Sequence, residues 1–237
     1  MKWINKLCLI VIVISIFVVT LITSVEIAAY GDWNFYRNEY EKNNVLNAVG
    51  MEMNDLMEVT KEMMAYLRGE RADLVIETTM FGETREFFND REKQHMADCK
   101  VLFVGAIWIR RICIALTALA IGIICGANKA DVKNKIKIIT GGVWKGILIF
   151  IGMAGAMIGV IAMNFDKAFV TFHKIFFDND LWILNPEIDM LINIVPQQFF
   201  IDISILIGII FGILLILIFS MAFITERVII KKLVKKQ

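Results

Sequence analysis

Four long apolar stretches, residues 7–29, 101–127, 143–163 and 203–224, constrain this chain more than any other feature. Each approaches or exceeds the about 20 residues that a helix needs to cross a hydrocarbon core. Composition agrees: 58% hydrophobic residues over 237 positions is too apolar for a soluble domain of this length. The formal net charge of +1 argues against a nucleic-acid partner, which asks for a basic patch. No Gly-rich phosphate loop, Walker motif or G-x-S-x-G elbow is present, so nucleotide-driven work is not expected.

The charges between the stretches orient them. Lys129, Lys133, Lys135 and Lys137 crowd residues 128–142, and Arg227, Lys231, Lys232, Lys235 and Lys236 crowd residues 225–237. The positive-inside rule puts both on the cytoplasmic side, and Lys2 and Lys6 put the N-terminus there too. Four crossings close that topology, with residues 30–100 and 164–202 outside. Residues 1–29, which contain the first stretch, also have features of a cleaved leader: a basic start, an apolar run and Ile27-Ala28-Ala29. The run exceeds the about 7 to 15 residues of a leader's apolar region, which favours an uncleaved anchor.

Function is expected in the two outer segments. Met53, Leu56, Met57, Met63, Met64 and Leu67 recur at helical spacing, and the pattern stops at Gly69 after Arg68. Residues 74–79 and 85–88 flank Gly82 as strand-like runs, a candidate hairpin. From an N-cap at Asn89 or Asp90, a helix is predicted to run through His95 and Lys100 into the second span. Of the four cysteines, Cys8, Cys113 and Cys125 fall in apolar spans as small hydrophobes. Cys99 is either a nucleophile or, more simply, a packed thiol.

The chain has two histidines, His95 and His173, and both lie in the outer segments near a membrane boundary. Taken singly, each reads first as an interfacial residue without a chemical role. Histidine is nonetheless the side chain best suited to moving protons near neutral pH. Glu92 and Asp98, three residues on either side of His95, can share a helix face with it, and a carboxylate that fixes the imidazole supports a general base. Charged residues on a solvated face would look similar. His173 sits in Phe172-His173-Lys174-Ile175-Phe176-Phe177, followed by Asn179, Trp182 and Asp189. This mixture suits a half-buried interfacial lid broken into turns by Pro186 and Pro196, or an aromatic belt that only anchors the fold.

Residues 91–100, Arg-Glu-Lys-Gln-His-Met-Ala-Asp-Cys-Lys, resemble the R-E-x-x-H-M-x-D-V-K signature of a bacterial integral-membrane family, the Lit-type lipoprotein intramolecular transacylases. Phe172-His173, Phe176-Phe177, Asn179, Trp182, Pro186, Asp189, Leu191-Ile192, Pro196 and Phe199-Phe200 fall at the spacing of that family's second block, and Tyr66-Leu67-Arg68-Gly69 resembles its Y-L-x-G stretch. Cys99 stands where valine is usual, and Gln197-Gln198 where an acidic residue commonly follows the last proline. The resemblance implies four transmembrane helices with a small extracytoplasmic α+β cap in the bacterial cell membrane. It implies a diacylglyceryl-modified lipoprotein as substrate, membrane lipids as surroundings, no nucleic acid or nucleotide, and no cofactor or metal. His95 and His173 are then the catalytic pair, supported by Glu92, Asp98, Asn179, Trp182 and Asp189.

Arg110 and Arg111 lie inside the second apolar stretch, where charges are functional suspects. Either one reaches the substrate's ester or oxyanion, or the true span starts near Ile112 and both mark its outer boundary. Two other classes compete. In a metal-dependent hydrolase, His95, Asp98, His173 and Asp189 would ligate a divalent ion. In a non-enzymatic lipid- or lipoprotein-binding protein, the aromatic segment would be a docking surface. A transporter fits less well, because the spans show few paired polar residues and no inverted repeat.

Overall fold

Over residues 2–127 and 131–234, which the computed structural model describes, the chain runs α1 (Lys2–Tyr30), α2 (Trp33–Lys42), α3 (Val45–Val49), α4 (Met53–Arg68), β1 (Glu77–Met80), β2 (Glu83–Glu86), α5 (Asp90–Ala127), α6 (Val132–Met163), α7 (Phe165–Phe176), α8 (Leu191–Ile194) and α9 (Gln197–Val234). Four of them, α1, α5, α6 and α9, are long and apolar enough to cross a membrane. The helices overrun the apolar stretches: Lys133, Lys135 and Lys137 lie in the first turns of α6. Lysine is a good helix former, and hydropathy marks the hydrocarbon rather than the end of the helix. Lys135 Nζ donates to the Cys125 carbonyl at 2.5 Å, near the end of α5. Lys129, Lys235 and Lys236 lie outside the described residues. The candidate span on α5, Asp90–Gly126, has 37 residues. That is about 55 Å of helix against about 30 Å of hydrocarbon, so its polar first turns, through Lys100, extend beyond the core.

The chain divides into two units, and one takes the described residues of Met1–Val25, Trp108–Met163 and Ile207–Gln237. Its centre is built on Cys8, Ile12, Ile124, Ile147, Phe211 and Leu215. Phe17 stacks on Phe150 with ring centroids 4.5 Å apart and meets Phe211 edge-on at 5.3 Å. Gly142 and Gly146 form a G-x-x-x-G pair on α6 against α1: a Cβ at either would lie 2.5 Å from Leu9 or Val13. Small residues let helix backbones approach closely where lipid supplies little hydrophobic drive for helices to associate. Trp144 Nε1 donates to Glu226 Oε2 at 2.5 Å, joining α6 to α9. Thr20, Ser24 and Thr117 return their hydroxyls to carbonyls four residues earlier, which satisfies them inside apolar helices. Leu119, Ile149 and Met221 are 60%, 66% and 71% exposed, an outward apolar surface suited to acyl chains rather than water.

The other unit takes Glu26–Ile107 and Asn164–Leu206. Asp32 caps α2 by accepting from the Asn34 backbone N–H at 2.9 Å. The periodic apolar face of α4 buries Leu56, Met57, Met63, Met64 and Leu67, and the helix ends on left-handed Gly69 with φ +82°. Tyr40 Oη and Thr60 Oγ1 are 2.7 Å apart in this core, and Tyr36 Oη donates to the Ala29 carbonyl at 2.9 Å. Strands β1 and β2 form an antiparallel hairpin with Glu77 opposite Glu86 and Met80 opposite Glu83. The strands sit closer to Gly82 than the strand-like runs, and one further bond, from the Phe87 N–H to the Ile76 carbonyl at 2.8 Å, lies beyond them. Phe81 and Gly82 make the turn with φ +52° and +83°. A phenylalanine at positive φ is uncommon, and it is held by a bond from its N–H to the Gly50 carbonyl at 2.8 Å and by its ring packing on Gly50.

Gly50 is itself left-handed at φ +61°, and a Cβ there would lie 2.3 Å from the Phe81 ring. Gly50→Ala is therefore expected to destabilise the protein by about 1–3 kcal/mol. Thermal unfolding of the purified protein in detergent should show a clearly lower midpoint, and an unchanged midpoint would contradict this account of the turn.

Candidate active site

The N-terminus of α5 is the frame of the site. Asn89 Oδ1 accepts from the Glu92 N–H at 3.0 Å, and Glu92 Oε2 accepts from the Asn89 N–H at 2.7 Å, a reciprocal capping box. Glu92 is fully buried, and its Oε1 accepts from the Leu191 N–H at 2.6 Å. Asn89 Nδ2 donates to Asp189 Oδ1 at 2.7 Å, and Asp189 Oδ2 accepts from the Asn185 N–H at 2.7 Å. Asp189 is buried as well. Glu92 and Asp189 thus join the start of α5 to residues 185–191. Burial pushes the Glu92 carboxyl above its ordinary range, opposed by these backbone N–H groups. Spacing puts Glu92 near His95, but both its oxygens are occupied by backbone donors.

His95 stands on the next turn of α5. His173 stands on α7, where Asn164 Oδ1 caps the helix by accepting from the Lys167 N–H at 2.9 Å. That α7 is a regular helix differs from the lid broken into turns: the prolines lie beyond it, and only residues after Phe176 turn. The two imidazoles, both buried, face one another with ring centroids 6.1 Å apart and planes at 32°. Aromatic rings enclose them: Phe169 at 4.2 Å and Trp182 at 4.8 Å from His173, and Phe177 at 5.3 Å from His95 and 5.5 Å from His173.

Residues 178–183, which carry Trp182, are held from α5. Asn179 Nδ2 donates to Asp98 Oδ2 at 2.9 Å, and Arg91 donates to the carbonyls of Asp180 and Ile183. Asp98 and Arg91 therefore flank His95 on its helix and position the loop. Of the supporting residues expected from sequence, Asp98, Asn179 and Trp182 gather around the histidines, while Glu92 and Asp189 brace the backbone behind them. Sequence reasoning passed over Phe169, and it named Arg91 and Phe177 only as parts of the two blocks, without a role. The spacing of Phe165, Phe169, Phe172, His173 and Phe176 would have shown a helical face had the segment been read at a period of 3.6. Arg110 and Arg111 belong to the other unit, where the Arg111 guanidinium lies 4.9 Å over the Trp108 ring.

Protonation follows from these surroundings. Burial, then His173, then Arg91 lower His95 to about 4, against the opposing pull of Asp98. Burial lowers His173 too, opposed by the Phe169 carbonyl. Both rings are neutral at pH 7. His173 Nδ1 donates to the Phe169 carbonyl at 2.8 Å. A carbonyl only accepts, so the proton sits on Nδ1 and Nε2 keeps a lone pair. His95 Nε2 lies 3.6 Å from Cys99 Sγ, and its Nδ1 is buried without a partner among the described residues. Burial pushes the Cys99 thiol up to about 12, which suits a packed thiol rather than a nucleophile. Among the described residues, no three His, Cys, Asp or Glu side chains stand together as metal ligands. A hollow of about 490 Å³ beside the α5 N-terminus is bounded by Arg85, Phe87, Lys93, Ile188 and Met190, and neither histidine lines it. Its Lys93 is paired with Glu86 at 2.9 Å.

No curated protein sequence matches the chain. Three solved structures of the membrane integral lipoprotein intramolecular transacylase Lit from Bacillus cereus share its fold, each at 22% identity. The first covers 98% of both chains with a TM-score of 0.74. Two variants of that protein, with a histidine replaced by arginine or by alanine, give TM-scores of 0.71 and 0.70. They cover 100% and 98% of this chain and 96% of the other. Residues 10–200 match the family model described as lipoprotein intramolecular transacylase Lit. The chain therefore belongs to the Lit family of lipoprotein intramolecular transacylases and is a multi-pass membrane acyltransferase.

Proposed function

We propose that the protein moves the sn-2 acyl chain of a lipoprotein's S-diacylglyceryl-cysteine to the α-amino group of the same cysteine. The product is an N-acyl, S-monoacylglyceryl lyso-form lipoprotein. The observation that carries this reading is the meeting of His95 and His173, from segments far apart in sequence, at 6.1 Å in one buried aromatic enclosure. The basic residues in 128–142 and 225–237 support a topology with the termini in the cytoplasm and both histidine-bearing segments on the extracytoplasmic side. There the glyceryl head of such a substrate would lie at the interface.

Amine and ester belong to one molecule, so orientation supplies much of the rate. The neutral amine attacks the ester carbonyl. His173 Nε2 takes the proton released from nitrogen and returns it to the departing glycerol oxygen, while the His95 N–H hydrogen-bonds the oxyanion. This divides the roles by tautomer: the Phe169 carbonyl makes His173 the acceptor. Asp98, Asn179 and Trp182 hold the enclosure, Glu92 and Asp189 hold the backbone, and no step needs Arg110, Arg111, a cofactor or a metal.

The test is mass spectrometry of the N-terminal lipopeptide of one abundant lipoprotein, from a host lacking its own N-acylating enzymes, with and without this gene. An N-acyl, S-monoacylglyceryl cysteine of unchanged total mass is expected. His95→Ala and His173→Ala should each lower its formation by at least about 100-fold. A persistent free amine despite membrane expression, or normal product from either variant, would overturn the reading. Loss of one acyl mass without N-acylation would point to a hydrolase.

The rate should also depend on pH in a particular way. Because burial lowers both histidines, their neutral forms persist on the acid side of the ordinary imidazole range. The pH profile of kcat/KM should rise with the substrate's amine, at about 7.7–8.0. A separate limb near 6.5, the ordinary imidazole value, would contradict the buried neutral pair.

A further inference from the structure

We infer that Cys99 is a positioning residue that acts through His95, its thiol S–H donating to Nε2 and so placing the ring proton on Nδ1. The inference rests on the transacylase reading above and assigns a task to a residue the mechanism otherwise leaves idle. Cys99 lies one turn after His95, with Sγ 3.6 Å from Nε2. The other groups near the ring are engaged elsewhere. Asp98 accepts from Asn179, Arg91 donates to the carbonyls of Asp180 and Ile183, and Phe177 presents a ring. Among the described residues Nε2 has no other partner, while Nδ1, on a side chain 94% buried, has none at all.

An imidazole nitrogen accepts far better than a thiol sulfur, and the buried thiol keeps its proton at neutral pH, so the bond runs from S–H to Nε2. The neutral ring then carries its single proton on Nδ1. That is the complement of what His173 offers: one ring presents a lone pair and the other an N–H, as an amine proton and an oxyanion require.

The test is ¹⁵N NMR of the purified, histidine-labelled protein in detergent, with steady-state kinetics on a diacylated lipopeptide. Wild type should show His95 with the proton on Nδ1. Cys99→Ala should shift it toward Nε2 and lower kcat about five-fold with little change in KM, the scale of one weak hydrogen bond. Cys99→Ser, which keeps a donor, should restore both. An unchanged tautomer in Cys99→Ala, or a Cys99→Ser protein as impaired as Cys99→Ala, would overturn the inference. The spectrum is read without substrate. Failure of the transacylase reading therefore appears as no N-acyl product from wild type, whereas failure of this inference appears as an unmoved spectrum.

Discussion

The carboxylate of Glu92 accepts from two backbone N–H groups, those of Asn89 and Leu191, that lie far apart in the chain. Fully buried and above its ordinary pKa range, it would be costly without those bonds. With them, it fixes where α5 begins and which stretch of the second outer segment lies beside it. Asp189 repeats the device through Asn89 and Asn185. The facing of His95 and His173 depends on this join, since each histidine comes from one of the two segments it ties together.

The enclosure explains the chemistry assigned to the pair. Imidazoles in water exchange tautomers freely and titrate near neutrality. Here, aromatic walls remove water and lower both pKa values, and a single partner on each ring decides which nitrogen holds the proton. Asp98 and Arg91 do not bond the ring of His95. They hold the loop that brings Trp182 over His173, so charges flanking a histidine on one helix serve the neighbouring loop.

The membrane helices were legible because about 20 apolar residues in a row have few other uses, and the α4 face and its Gly69 stop because period and cap coincide. The capping box was half legible: Asn89 stood out as an N-cap, but Glu92, three residues on, was drawn toward His95 by helical spacing. Spacing cannot tell which neighbour a carboxylate turns to. Helix α7 was hidden because dense phenylalanine looks the same in an interfacial belt and on a helical face. The pairing of the two histidines rested on resemblance alone, since a contact between residues 95 and 173 leaves no local pattern.

In the proposed reaction, one buried neutral histidine pair moves the proton and holds the oxyanion while an acyl chain passes directly between two groups of a single substrate molecule. The most direct test is a crossover measurement: purified protein is given an equal mixture of two diacylated lipopeptides, one with isotopically heavy acyl chains and the other with a heavy peptide. The account predicts N-acylated products in which acyl and peptide labels stay in their original combinations, at every protein concentration. Products that carry a heavy acyl chain on the heavy peptide would contradict it, because the chain would then have passed between molecules.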